Sequence, residues 1–461
     1  MNNFEKKKKW IWTLVLTVVT FILLMVSIVF TVDREGSLPL WGIMKADTLY
    51  LISFFLVLIP IILAALAVVM IFASDKRKDA DEDTPRIIVE SPVTEKKEEK
   101  PVGERFCMLC EIDRRSGSYG HRYYGKGVTL ESFCESFRNY AASRLKLYYD
   151  IEDIRAFVAG LAVSRLVILQ GMSGTGKTSL AHAFGSFVDN SSTVIPVQPM
   201  WKERTDLIGY YNEFTKRFNE TLLLEKMYEA NYSRDMYVTV LDEMNIARVE
   251  YYFAEFLSLL ELPNPEERYL DVVSDKWDTD PVGLKDGRVK LPENMWFVGT
   301  ANNDDSTFAI SDKVYDRAMI LDLDTKSERF AAPPTEKSPI SAEQFERLVE
   351  GAQKEYAISR RNIKRLEELD RYLIEHFHVT FGNRIMKQIR TYIPVYVSCG
   401  GDELRALDDI LSKKVMRKLE TQNPIYLRNS AEGLLSYIDE LFGADRMPLC
   451  RDRINRLLRN A

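Results

Sequence analysis

The chain has 461 residues, 46% hydrophobic and 28% charged, which excludes a single ordinary domain by length and a wholly disordered chain by composition. Its 62 basic and 68 acidic side chains leave a net charge of -6, so no overall basic field draws it to nucleic acid, and a DNA partner stays open only through a local patch. Five cysteines, an odd number, fit reduced thiols better than a disulfide framework.

Much of the apolar excess sits at the start. From Trp10 to Val32 there are 23 residues without a charge, and about 20 suffice to cross the hydrocarbon core. A second uncharged run, Leu49 to Ser74, contains Pro60, which a membrane helix tolerates when neighbouring groups re-satisfy the freed carbonyl. Residues 1–74 are therefore expected to form a helical transmembrane hairpin in the lipid bilayer. Lys6 to Lys9 precede the first run and Lys76, Arg77 and Lys78 follow the second. The positive-inside rule then places both ends, and all that follows, on the cytoplasmic side of the cell (inner) membrane. The first run is longer than a signal-peptide core and lacks a small-residue cleavage site.

Residues 75–104 are rich in Lys, Glu, Asp and Pro, too polar to bury a core, and are expected to be a flexible tether. A small segment, 105–150, follows the tether. It holds Cys107, Cys110, His121 and Cys134. Their spacing fits paired zinc ligands poorly, and Phe133, Phe137, Tyr140, Ala141 and Leu145 recur around Cys134 at helical spacing, so core packing is the stronger expectation.

Arg165 to Gln170 reads RLVILQ, a run suited to a buried parallel strand. It leads straight into Gly171, Met172, Ser173, Gly174, Thr175, Gly176, Lys177, Thr178 and Ser179. Glycines at this spacing let backbone N–H groups curl around phosphate oxygens, while the helix that follows points its positive dipole end at the same anion. Lys177 is expected on the β and γ phosphates and Thr178 on Mg²⁺. A second buried strand, from Tyr237, ends in Asp242 and Glu243. Asp242 is the expected second residue for Mg²⁺, and Glu243 the group that polarises the attacking water. A third strand, from Met295, ends in Asn302, whose amide suits the γ phosphate or the water, with a turn-forming Asn as the alternative. Arg317 follows Asp316 and precedes the apolar run Met319 to Leu323. It is the expected arginine finger, set against an ion pair with Asp316 or Asp312.

The stretches LDEMNIARVEYYFAEFLSLLE, PENMWFVGTANNDDSTFAISDKVYDRA and MWKERTDLIGYYN resemble the AAA+ domain of McrB-type proteins. These are restriction GTPases grouped with dynein-related and MoxR-like ATPases. The resemblance implies an α/β P-loop core at 151–328, with a parallel sheet sandwiched by helices, and an all-α lid and C-terminal helices at 329–461. It also implies a homo-oligomer, commonly a hexameric ring, with nucleotide at subunit interfaces. Asp206 to Phe214 would then be an insert whose Tyr210 and Tyr211 face the pore. The chain departs from McrB-type proteins in having a membrane hairpin where they read DNA, and ANNDDST where they carry a signature loop.

Ser341 to Gln344 reads as a capping box that opens a helical region. Ile363, Leu366, Leu369, Leu373 and Phe377 share one helical face. Arg384 resembles the sensor 2 arginine that closes on the γ phosphate, with a solvent-facing arginine as the alternative. The expected activity is Mg²⁺-dependent ATP hydrolysis, GTP being the other candidate, coupled to remodelling or translocation of a partner. The alternatives are a nucleotide-gated membrane scaffold or sensor, and a MoxR-like chaperone. The sequence carries no nuclease signature, so McrBC-like cleavage requires a separate nuclease or effector protein.

Overall fold

The computed structural model describes residues 104–119, 124–125, 127–302, 307–324 and 327–460. The two uncharged runs, the tether up to residue 103 and His121 lie outside these residues. Among the described residues no helix is long and apolar enough to cross a membrane.

Nine strands are described in chain order: β1 (Leu166–Gly171), β2 (Thr193–Pro196), β3 (Gly209–Asn212), β4 (Arg217–Glu220), β5 (Tyr237–Asp242), β6 (Tyr269–Asp271), β7 (Arg288–Lys290), β8 (Met295–Asn302) and β9 (Met319–Asp322). Five of them form a parallel sheet in the order β2-β5-β8-β1-β9, while β3–β4 and β6–β7 are separate antiparallel pairs. The β-branched and apolar runs read from the sequence become strands because both faces of this sheet are covered. Along β1, Val167 and Leu169 join one apolar cluster and Leu166 and Ile168 the other. In β5, Val238 and Val240 alternate with Tyr237 and Leu241 in the same way.

Besides three one-turn helices, six longer ones accompany this core among the described residues: α1 (Met108–Arg115), α2 (Leu130–Leu145), α3 (Ile151–Val163), α4 (Lys177–Phe187), α5 (Leu222–Ala230) and α6 (Ala254–Glu261). Segment 105–150 is divided between the two apolar clusters. Helix α2 lays Phe133 and Phe137 on Phe184 of α4, with ring centroids 6.1 and 5.3 Å apart. On the other cluster Phe106 stacks on Phe218 at 5.0 Å, and the buried Arg105 pairs with Asp280 at 2.6 Å. Cys107 is exposed, whereas Cys110 and Cys134 are buried, and among the described residues no His/Cys/Asp/Glu cluster is arranged to hold a metal. The β3–β4 hairpin separates the two insert tyrosines. Tyr210 is half exposed, but Tyr211 packs edge-on to Trp277 at 6.0 Å, and Phe214 at the turn is 99% exposed.

The C-terminal region is all helical: α7 (Ala342–Glu355), α8 (Arg360–Phe377), α9 (Gly382–Ser398), α10 (Glu403–Lys414), α11 (Pro424–Phe442) and α12 (Pro448–Asn460). The capping box that opens α7 forms as expected: Ser341 Oγ accepts from Gln344 N and Gln344 Oε1 accepts from Ser341 N, each at 3.1 Å. On α8, Leu366, Leu369, Leu373 and Phe377 are buried. These helices share one apolar cluster with the α2–α4 side of the sheet. Helix α12 also reaches the sheet edge, where Arg453 pairs with Asp322 and Arg456 with Asp324, both at 2.8 Å.

Candidate functional site

The parallel register brings the expected residues to one edge. Gly171 pairs with Asn302 and Pro196 with Asp242, so the chain leaves β1, β5 and β8 side by side. Gly171 has φ 141°, and a Cβ there would stand 2.4 Å from Leu323 O, so only glycine fits this turn. The loop from Met172 to Gly176 then curls into α4, whose N-cap is Gly176 at φ 94°. Lys177 begins the helix and turns its ammonium back over the loop, donating to Gly171 O at 3.0 Å and Met172 O at 2.7 Å. Thr175 Oγ1 donates to Met172 O at 3.0 Å, and Ser179 lies in the first turn of α4. The hydroxyl of Tyr149 donates to Gly176 O at 3.0 Å from beneath the loop. Burial raises the pKa of that phenol, so it stays a neutral donor.

Asp242 ends β5 with two hydroxyls on one oxygen: Thr178 Oγ1 donates to Oδ1 at 2.7 Å and Thr300 Oγ1 at 2.9 Å. Thr300 Oγ1 in turn accepts from Glu243 N at 2.8 Å. That bond supports Glu243 in a left-handed conformation, φ 52°, which a non-glycine residue adopts only when its surroundings impose it. Asn302 Nδ2 lies 3.5 Å from Glu243 Oε1. Asn245 holds the backbone of Asn302, donating from Nδ2 to Asn302 O at 2.8 Å and accepting from Asn302 N at 3.4 Å. The hydroxyl of Thr178 and the carboxylate of Asp242, in direct contact, are the hard oxygen donors that suit Mg²⁺. The structure therefore brings Lys177, Thr178, Asp242, Glu243 and Asn302 together.

The two predicted arginines lie elsewhere. Arg317 and Arg384 line a cavity of about 890 Å³ with Arg165, Leu166 and Glu261. Leu166 begins β1 and Gly171 ends it, so the cavity is roughly 16 Å from the P-loop at about 3.3 Å per residue. Both arginines pair with one carboxylate, Glu261 at the end of α6: Arg317 Nη2 meets Oε2 at 2.5 Å, and Arg384 meets Oε1. Arg317 Nη1 also donates to Lys313 O at 2.7 Å. Its partner is thus Glu261, where the sequence offered Asp316 or Asp312. Arg384 does not reach its own P-loop, because α9 packs along α3 and delivers the N-terminal turn of α9 to the start of β1.

Four residues of this geometry escaped the sequence: Tyr149, Asn245, Thr300 and Glu261. Thr300 and Asn245 had a usable signal, since each is a polar residue inside a run that otherwise reads as buried. Tyr149 and Glu261 had none, because their roles arise only from tertiary placement.

Residues 166–318 match the model of the AAA domain, dynein-related subfamily, and residues 336–461 match a domain of unknown function (DUF8727). None of the curated proteins matches the chain. Among solved structures, similarity extends to a full-length MCM homolog from Methanopyrus kandleri, with 11% identity over 67% of this chain and 61% of that one, at a TM-score of 0.36. A Walker-type ATPase of Pyrococcus abyssi is 14% identical over 68% of this chain and 91% of that chain, TM-score 0.23. NtrX from Brucella abortus in complex with ADP is 14% identical over 91% and 75%, TM-score 0.23. The chain spans about 61% of the length of the MCM homolog. Residues 166–318, with their parallel sheet, P-loop and paired carboxylates, are an AAA+ P-loop nucleotide-binding domain.

Proposed function

We propose that the protein is an oligomeric, magnesium-dependent ATPase in which the P-loop of one subunit and Arg317 and Arg384 of the next form each site. One observation carries this: both arginines sit on Glu261 at the far end of β1 from their own P-loop, so the phosphates they can meet belong to another copy. Lys177 and the loop N–H groups grip the phosphates, the ammonium exchanging its carbonyl partners for phosphate oxygens. Thr178 and Asp242 would hold Mg²⁺, which would supply positive charge against that of the phosphates. Glu243 orients the attacking water and draws on its proton, and Asn302 sets the carboxylate and the water relative to the γ phosphate. Arg317 neutralises the charge that develops there, an effect worth about 10³ to 10⁵ in rate.

The uncharged runs at 10–32 and 49–74 support a membrane tether, with the ATPase on the cytoplasmic side and its cycle used to remodel or translocate a partner. The test is turnover by the detergent-solubilised full chain with Mg-ATP and Mg-GTP. Glu243→Gln should retain nucleotide and hydrolyse it poorly. Wild-type turnover in that variant removes Glu243 from the chemistry, and a GTP-only enzyme replaces the base assignment.

A further inference from the structure

Arg317 follows a one-turn helix, Asp312–Tyr315, whose Asp312 and Val314 carbonyls accept from the backbone N–H groups of Asp316, Arg317 and Ala318. The four consecutive carbonyls of residues 315 to 318 accept from side chains. Lys414 Nζ donates to Tyr315 O at 2.7 Å and also to Ala318 O. Gln388 Nε2 donates to Asp316 O at 3.1 Å, and Ser164 Oγ to Arg317 O at 2.9 Å. Three of these four contacts come from the C-terminal domain of unknown function, 336–461. The same domain lays the Arg417 guanidinium over the ring of Tyr315, 3.1 Å from its centroid, and brings Lys418 within 3.6 Å of Asp316.

Lys414 is 3% exposed. Burial pushes its ammonium down to about 7, against the pull of Asp316 and with Arg417, Lys418 and Arg384 adding to the depression. A lysine held in so unfavourable a place, with its Nζ on two backbone carbonyls, is badly suited to simple packing, for which Leu or Met serves at no desolvation cost.

We infer that the C-terminal domain positions Arg317, with Lys414 as its principal positioning residue and Gln388 as its second. This rests on the proposal that Arg317 completes a neighbour's site. The domain then does more than cover the core: a shift of α9 or α10 moves the arginine presented to the next subunit.

The test uses the detergent-solubilised full chain and Mg-ATP, with kcat, KM and thermal midpoint measured for Lys414→Met, Gln388→Met, Arg317→Ala and the two doubles. Lys414→Met should lower kcat on the order of 10²-fold, the scale of an ångström-sized misplacement, with KM nearly unchanged. Gln388→Met should cause a smaller loss of the same kind, and it decides the matter if Lys414→Met does not fold. Neither substitution should lower kcat further in the Arg317→Ala background, since each acts through that side chain. Full kcat in a folded single variant, or losses that multiply with Arg317→Ala, overturns the inference and leaves the arginine's role standing. Wild-type turnover in Arg317→Ala overturns that role, and this inference with it.

Discussion

Gly171 and Asn302 are register partners across β1 and β8, so the phosphate loop and the amide facing Glu243 leave the sheet at the same level. Neither residue is placed by its own neighbours in sequence. Parallel pairing of two buried strands aligns them, and the hydroxyls of Thr178 and Thr300 on Asp242 tie the remaining edge to this line.

Thr300 is the joint between the two carboxylates. Thr300→Val keeps the shape but leaves Glu243 N–H and one lone pair of Asp242 without a partner. A buried unsatisfied group costs about 1–3 kcal/mol, so kcat should fall about 10-fold to 100-fold while nucleotide affinity changes little. Steady-state kinetics and an equilibrium binding titration check this, and unchanged kcat removes Thr300 from the site.

Gly171→Ala forces a Cβ against Leu323 O in a backbone region that disfavours it. The substitution should destabilise the chain by about 1–3 kcal/mol and open the loop. Thermal melting should show a lower midpoint that Mg-ADP no longer raises. A variant that melts and binds like wild type contradicts the described turn.

Arg384→Ala separates a role at the subunit's own nucleotide from one at its neighbour's. Because Arg384 pairs with Glu261 beside Arg317, the variant should bind a fluorescent ATP analogue as wild type does. Its kcat should fall about tenfold or more, as expected when an interaction made in the transition state is lost. Weakened binding with intact kcat points instead to the subunit's own P-loop.

Asp153 gives the fold a pH dependence. Burial pushes its carboxyl up to about 6 from 3.8, with Lys413 opposing and Asp150, Asp409 and Glu152 reinforcing the shift. The folded state therefore holds this proton to higher pH than the unfolded chain does. The stability it contributes is full below about 4 and is lost as pH rises to about 6. Asp153→Asn should flatten the denaturant midpoint across that window, and an unaltered slope assigns the dependence to other groups.

Much of the candidate site's edge was legible because the P-loop and the two strand-end motifs are local patterns whose chemistry dictates their spacing. The buried strands were legible from apolar runs, and the opening of α7 from Ser341 and Gln344. The placement of Arg384 was not, since a helix-start pattern says nothing about which end of β1 the helix will meet. The segment 105–150 read as a small preface whose Phe133 and Phe137 recur at helical spacing as core residues, and both rings pack on Phe184 of α4. Lys414 carries no motif, and its burial on two carbonyls appears only once α10 has packed.

In the proposed assembly each site is shared between subunits. Glu243→Gln and Arg317→Ala chains, each nearly inactive alone, are mixed, exchanged and assayed for Mg-ATP turnover. Mixed assemblies contain sites with Glu243 from one chain and Arg317 from the next, so turnover should be restored and rise to a maximum near equal proportions. If the mixture assembles and turnover stays at the level of the separate variants at every ratio, Arg317 does not act across the interface.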